Sequence, residues 1–146
     1  MCGFVVIIEY TYNILRRCDR QGIQHRLLYT ISRKDKYMTT LRQAITEKLL
    51  PYVSRPSQYC GLEHNRRCSD VRQAEVAVCL AFPDTYAVGI SHLGSQILYT
   101  ALNDMAGVAC DRCYCPQPDA EQVMRRETLP LFGWESRQPL RQFDIL

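Results

Sequence analysis

Apolar positions along this chain follow two different periods. Val76 to Phe82 is an unbroken apolar run with no polar alternation, the pattern of a strand buried on both faces in a helix-covered parallel sheet. Pro83 and Asp84 are expected to stop that strand, and a polar loop follows through Tyr86 and Gly89. Ser91 is placed to cap a helix, its hydroxyl accepting from a backbone N–H left free in the first turn. Beyond it Leu93, Ile97, Leu98, Ala101, Leu102 and Met105 fall on one helical stripe. Strand, polar loop and helix form one unit, and in open α/β sheets ligands bind outside the carboxyl ends of the strands.

The flanking segments repeat this logic. Thr40-Leu41-Arg42-Gln43 is a capping box, and Leu41, Ala44, Ile45, Lys48 and Leu49 keep helical spacing up to Pro51. A loop-like stretch runs from Pro51 to Gln73. Gly107 marks a turn, Val108 to Cys115 reads as a second strand, and Pro116 and Pro118 end it. Asp119-Ala120-Glu121-Gln122 is a second cap signature, opening a short helix to Thr128. Leu129 to Trp134 reads as a third strand with Pro130 at its start, and Phe143 to Leu146 opens a further apolar run. The alternation predicts an α/β fold, a partial flavodoxin- or Rossmann-like parallel sheet preceded by a helical lead-in. Because the sheet ends on the first residues of a strand, the chain is expected to be a fragment truncated at its carboxyl end. Three segments result: an extension over 1–37, a helix-and-loop lead-in over 38–74, and an incomplete α/β domain over 75–146. Within the extension Phe4 to Ile8 is a short strand candidate, and Arg16, Arg17, Arg20 and Arg26 form a weak basic patch. The mixed composition there reads as a solvated extension that is not native, with Met38 as the natural start.

Composition adds limits. The net charge of +3 is uneven. Residues 1–37 hold seven basic and three acidic side chains, a net +4, and the remaining eleven basic and twelve acidic give −1. The main body carries no bulk basic surface, so nucleic acid is not an expected partner. No apolar stretch approaches the ~20 residues that cross a bilayer, and no signal-peptide core is present. The eight cysteines are irregularly spaced and read as reduced thiols of a cytoplasmic protein.

The candidate chemistry lies in the loop after the first strand. Asp84, Tyr86, Gly89, Ser91, His92 and Gly94 would line a ligand or domain-interface crevice. His92, in the first turn of the helix, is suited to metal, protons or cobalt, or to a plain hydrogen bond at a helix start. Gly89 to Ser95 lacks the lysine of a phosphate loop. Cys110, Cys113 and Cys115 have thiolate spacing, but strand alternation puts Cys110 opposite Cys113 and Cys115, so no metal site is assigned. No nucleophile–base arrangement is present, and no catalytic residue is assigned.

Three segments carry a resemblance. LRQAITEKLLPYVSRPSQYCGLEHN, VAVCLAFPDTYAVGISHLGSQILYTALND and LPLFGWESRQPLRQFDIL resemble the amino-terminal part of a family of large radical SAM proteins with a B12-binding-like domain. The family's LAFPD-x-Y-x-x-G-x-SHLG-x-QILY matches Leu80 to Tyr99, and its PLF-x-x-ES-x-x-PL-x-x-FDI matches Pro130 to Ile145. The resemblance implies that residues 75–146 are the opening of a cobalamin-binding-like domain, with cobalamin as cofactor. The [4Fe-4S] cluster and S-adenosylmethionine would belong to a following radical SAM barrel, joined in cis or in trans. The chain itself has no CxxxCxxC triplet. The cobalamin loop D-x-H-x-x-G is also not matched: Ile90 stands two before His92, and Gly94 follows after one residue. Either the domain binds cobalamin without a protein ligand, or it keeps the fold without the cofactor. The alternatives are a cofactor-free α/β interaction module and an unstable truncated product.

Overall fold

The computed structural model describes residues 41–146; Thr40 of the capping box, Met38 and the whole 1–37 extension lie outside them. Strand β1 (Val76–Thr85) and strand β2 (Val108–Cys115) pair in parallel, in register from Val76 opposite Val108 to Phe82 opposite Tyr114. A parallel pair needs a crossover. Helix α1 (Tyr86–Gly89) and helix α2 (Leu93–Asn103) supply it. On the other flank of β1, Ile145 bridges Val78 in parallel. The Cys79 N–H donates to the Ile145 carbonyl at 2.9 Å, and the Asp144 carboxylate accepts from the Ala77 N–H at 2.9 Å. β1 is therefore central, and the run after Phe143 does open a strand pairing. The architecture is the expected partial α/β sheet.

The period of two divides the side chains between the faces. Ala77, Cys79, Ala109 and Cys113 enter the main core with Ile45, Leu49, Val123, Met124 and Trp134. Val78 and Cys110 turn the other way and pack on Tyr99 of α2. Cys110 and Cys113 thus sit on opposite faces, as alternation requires. The main core is roofed by the helical segment 41–52, by helix α3 (Pro118–Arg126) and by the chain from Leu129 to Phe143. Among the described residues no helix is long and apolar enough to cross a membrane.

Several local expectations are corrected. Pro83 and Asp84 do not stop β1, which continues to Thr85 through a register irregularity after Phe82. An irregular ladder leaves room for a residue without an N–H. Pro51 does not end the lead-in helix, because it sits at the start of a 3-10 turn, Leu50–Tyr52, where the missing N–H costs nothing. Helix α3 begins at Pro118, flanked by Gln117, and ends at Arg126. Pro118 takes the first helical position that suits it. Asp119 instead accepts from the Ser54 N–H and hydroxyl, both at 2.8 Å, tying α3 to the lead-in. Leu129 to Trp134 is not a strand. It forms one antiparallel bridge, Phe132 to Pro139, and folds back through Arg137 at φ 55°. Burial of Leu131, Phe132 and Trp134, not a ladder, holds it.

Most of the expected α2 stripe faces outward: Leu93, Ile97 and Leu98, with Met105 just past the helix, are 68, 58, 55 and 56% exposed and Ala101 is exposed, while Leu102 is partly buried and packs inward beside the buried Tyr99. The cap is also different: His92 Nδ1 accepts from the Ser95 N–H at 3.1 Å, while the Ser91 hydroxyl donates to the Val88 carbonyl at 3.1 Å. An imidazole nitrogen does here what a serine hydroxyl was expected to do.

Candidate functional site

Two features lie at or beside the strand ends. The first is the crevice after β1. Asp84 is exposed and its carboxylate accepts from the next N–H, that of Thr85, at 2.6 Å. Ser91 is exposed, and the exposed His92 ring rests against Phe82 with centroids 5.0 Å apart. A Cβ on Gly94 would come within 3.0 Å of His92 Cε1, so Gly94 lets the imidazole fold over the helix start. Tyr86 and Gly89 point inward. Tyr86 stacks on Trp134 at 4.5 Å and 11°, and Tyr114 meets both rings edge-on. Gly89 is buried under Tyr114, where a Cβ would lie 2.6 Å from the ring. The six residues therefore form two groups: Tyr86 and Gly89 inside the aromatic cluster, and His92 with Gly94 at its rim. Asp84 and Ser91 lie outside both.

The second feature is a buried ionic network on β2. Asp111 and Arg112 are charged residues inside an otherwise apolar strand, and both are buried. A buried charge is costly unless it is paired and hydrogen-bonded. Asp111 accepts four bonds: from the N–H groups of Arg112 (2.7 Å), Glu135 (3.0 Å) and Ser136 (2.9 Å), and from the Ser136 hydroxyl (2.6 Å). The loop Gly133-Trp134-Glu135-Ser136 is thereby wrapped around one carboxylate. Gly133 is required there, since a Cβ would stand 2.3 Å from Asp111 Oδ2.

Arg112 reaches two carboxylates, Glu63 and Glu135, each at 2.7 Å, and its guanidinium lies 4.3 Å over the Tyr99 ring. The Tyr99 hydroxyl donates to Glu135 at 2.8 Å and accepts from the N–H groups of Arg67 and Cys68. Burial opposes the Arg112 charge, but the Tyr114 oxygen, Glu135 and Glu63 outweigh it and raise its pKa. Burial, together with Glu135, raises the pKa of Tyr99. Burial and the Glu63 carboxylate likewise raise that of Tyr86. The network is a tie point joining β2, α2, the 61–68 loop and the 133–136 loop. Asp111 and Glu135 are held by donors on both oxygens, while Glu63 keeps one buried oxygen without a hydrogen-bond partner.

Sequence reading placed no role on Glu63, Asp111, Arg112 or Glu135. The available signal was the Asp-Arg pair within Val108 to Cys115, because charges in a two-faced strand demand partners.

The cofactors implied by the resemblance find no matching donor set. The strand-end crevice is filled by the Tyr86, Tyr114 and Trp134 rings, so the arrangement does not fit a corrin ring there. Among the described residues no three His, Cys, Asp or Glu side chains converge as metal ligands. Burial, and then the Asp111 charge, push the thiols of Cys110 and Cys113 up to about 12, away from thiolate character.

No curated protein and no solved structure gives a significant match to this chain. Residues 94–146, from α2 through β2, α3 and the 133–136 loop, match the family model described as radical SAM proteins, N-terminal.

Proposed function

We propose that this chain serves as the amino-terminal, non-catalytic module of a radical SAM protein. In this reading it is an α/β domain of cobalamin-binding-like topology that works by docking, not by holding a cofactor. The cluster and S-adenosylmethionine chemistry belong to a barrel supplied in cis or in trans. One observation carries the reading: the strand-end crevice is packed with the chain's own rings, while the α2 stripe of Leu93, Ile97, Leu98 and Met105 is exposed. Contiguous exposed apolar surface marks an interaction site in a soluble domain. The tie point around Arg112 then acts structurally, fixing α2 against the sheet through Tyr99.

Two measurements test this. Titration of the full chain with hydroxocobalamin, followed by visible absorption, is expected to show no stoichiometric spectral change. Co-purification with a CxxxCxxC-bearing barrel polypeptide of the same genome is expected for the native chain and is lost in Ile97→Asp, whose residue is too exposed to threaten folding. A saturable cobalamin shift, or docking indifferent to Ile97→Asp, overturns the reading.

A further inference from the structure

A second crevice lies on the opposite side of the 133–136 loop. It is an open crevice of about 390 Å³ between that loop and residues 66–72. Four arginines line it, Arg42, Arg66, Arg67 and Arg72, together with Ser69 and Ser136. Two of the four are compensated: Arg67 pairs with Asp104 at 2.9 Å, and Arg72 Nε pairs with Asp70 at 2.8 Å. Glu135, the other carboxylate on the lining, is held by Arg112 and Tyr99. Arg42 donates to the Ser136 carbonyl oxygen at 3.1 Å and, after Arg72, helps lower the pKa of Asp70, whereas Arg66 makes no ion pair among the described residues.

Like charges gathered on two loops are a cost that a bound anion removes. Guanidinium forks match the oxygens of a phosphoryl group, and the Ser69 hydroxyl on the lining supplies a further donor, that of Ser136 being committed to Asp111.

We infer that this crevice is a binding site for the phosphoryl group of a small molecule, with Arg42 and Arg66 as its anion-holding residues. This site is independent of the α2 face and of any corrin. Its walls are both pinned to the Arg112 network: Ser136 through Asp111, and Arg67 and Cys68 through the Tyr99 hydroxyl. The crevice is thus preformed, and binding need not order it.

The test is calorimetric titration of the full chain with inorganic pyrophosphate at low salt, paired with thermal unfolding. A single saturable event is expected, with a rise in unfolding temperature. Arg66→Gln and Arg42→Gln should each weaken binding about tenfold or more, the loss of one charge-assisted hydrogen bond. Arg125→Gln, on the exposed face of α3, should leave it unchanged. Arg66 is exposed and has no structural partner, so its variant folds and the comparison stands even if the Arg42 variant does not. Absence of heat and of thermal shift overturns the proposal. So does equal weakening by Arg125→Gln, which would mean diffuse charge only. Tighter, competing binding of a short single-stranded oligothymidylate would also overturn it, making the crevice part of a nucleic-acid surface.

Discussion

Removing the Asp111 carboxylate is the sharpest perturbation of the tie point. Asp111→Ala leaves three buried N–H groups, those of Arg112, Glu135 and Ser136, and one hydroxyl without their acceptor. Each orphaned buried group costs about 1–3 kcal/mol, and charged acceptors lie at the upper end. The losses are not additive, because the 133–136 loop relaxes, so the net destabilisation is about 3–5 kcal/mol. With a urea slope of about 1–3 kcal/mol/M, the unfolding midpoint should fall by about 1–5 M. Gly133 supplies an internal control. Gly133→Ala places a Cβ 2.3 Å from Asp111 Oδ2 and 2.8 Å from Ser136 Oγ, forcing the loop off the carboxylate. Alone it should cost about 1–3 kcal/mol. In the Asp111→Ala background most of that cost should vanish, since the group it collides with is gone. Urea unfolding of the four proteins measures the coupling. Additivity within about 0.5 kcal/mol would mean that the two residues act separately, and the account of a loop wrapped around one carboxylate would fail.

Three further outcomes follow from the same geometry. His92→Ala should destabilise α2 by about 1 kcal/mol through loss of its cap, whereas Ser91→Ala should stay within about 0.5 kcal/mol; amide exchange at Ser95 reads the difference, and the reverse order would restore Ser91 as the cap. Trp134→Ala, removing the ring that Tyr86 stacks on and Tyr114 abuts, should cost about 3–5 kcal/mol in urea unfolding, and a loss below about 1 kcal/mol would mean that the strand-end crevice is not packed. Alkaline pH should weaken the fold: Cys110 and Cys113 rise from an ordinary 9.0 to about 12, so their contribution is complete below pH 9.0 and is lost as pH climbs towards 12. The slope is about 1.4 kcal/mol per pH unit per thiol, and a urea midpoint unchanged between pH 9 and 11 would contradict their burial.

What the sequence reveals here depends on how far apart the interacting groups lie along it. β2 is legible to the residue, because Gly107 and Pro116 bracket a run whose period of two also sends Cys110 and Cys113 to opposite faces. The end of β1, the cap of α2 and the start of α3 were each misplaced by one or a few residues, since Pro83, His92 and Pro118 all fill positions that more than one residue type satisfies. The network is different in kind. Arg112 meets Glu63 and Glu135 from 49 and 23 positions away, and no local pattern states that distance. The α2 stripe shows the remaining limit. A period of 3.6 says that Leu93, Ile97, Leu98 and Met105 share a face, but not whether that face looks inward. Here Tyr99 takes the inward position because its hydroxyl has Glu135 and two backbone N–H groups to satisfy, which turns the apolar stripe to solvent. The polar network thus determines which surface of the helix faces solvent.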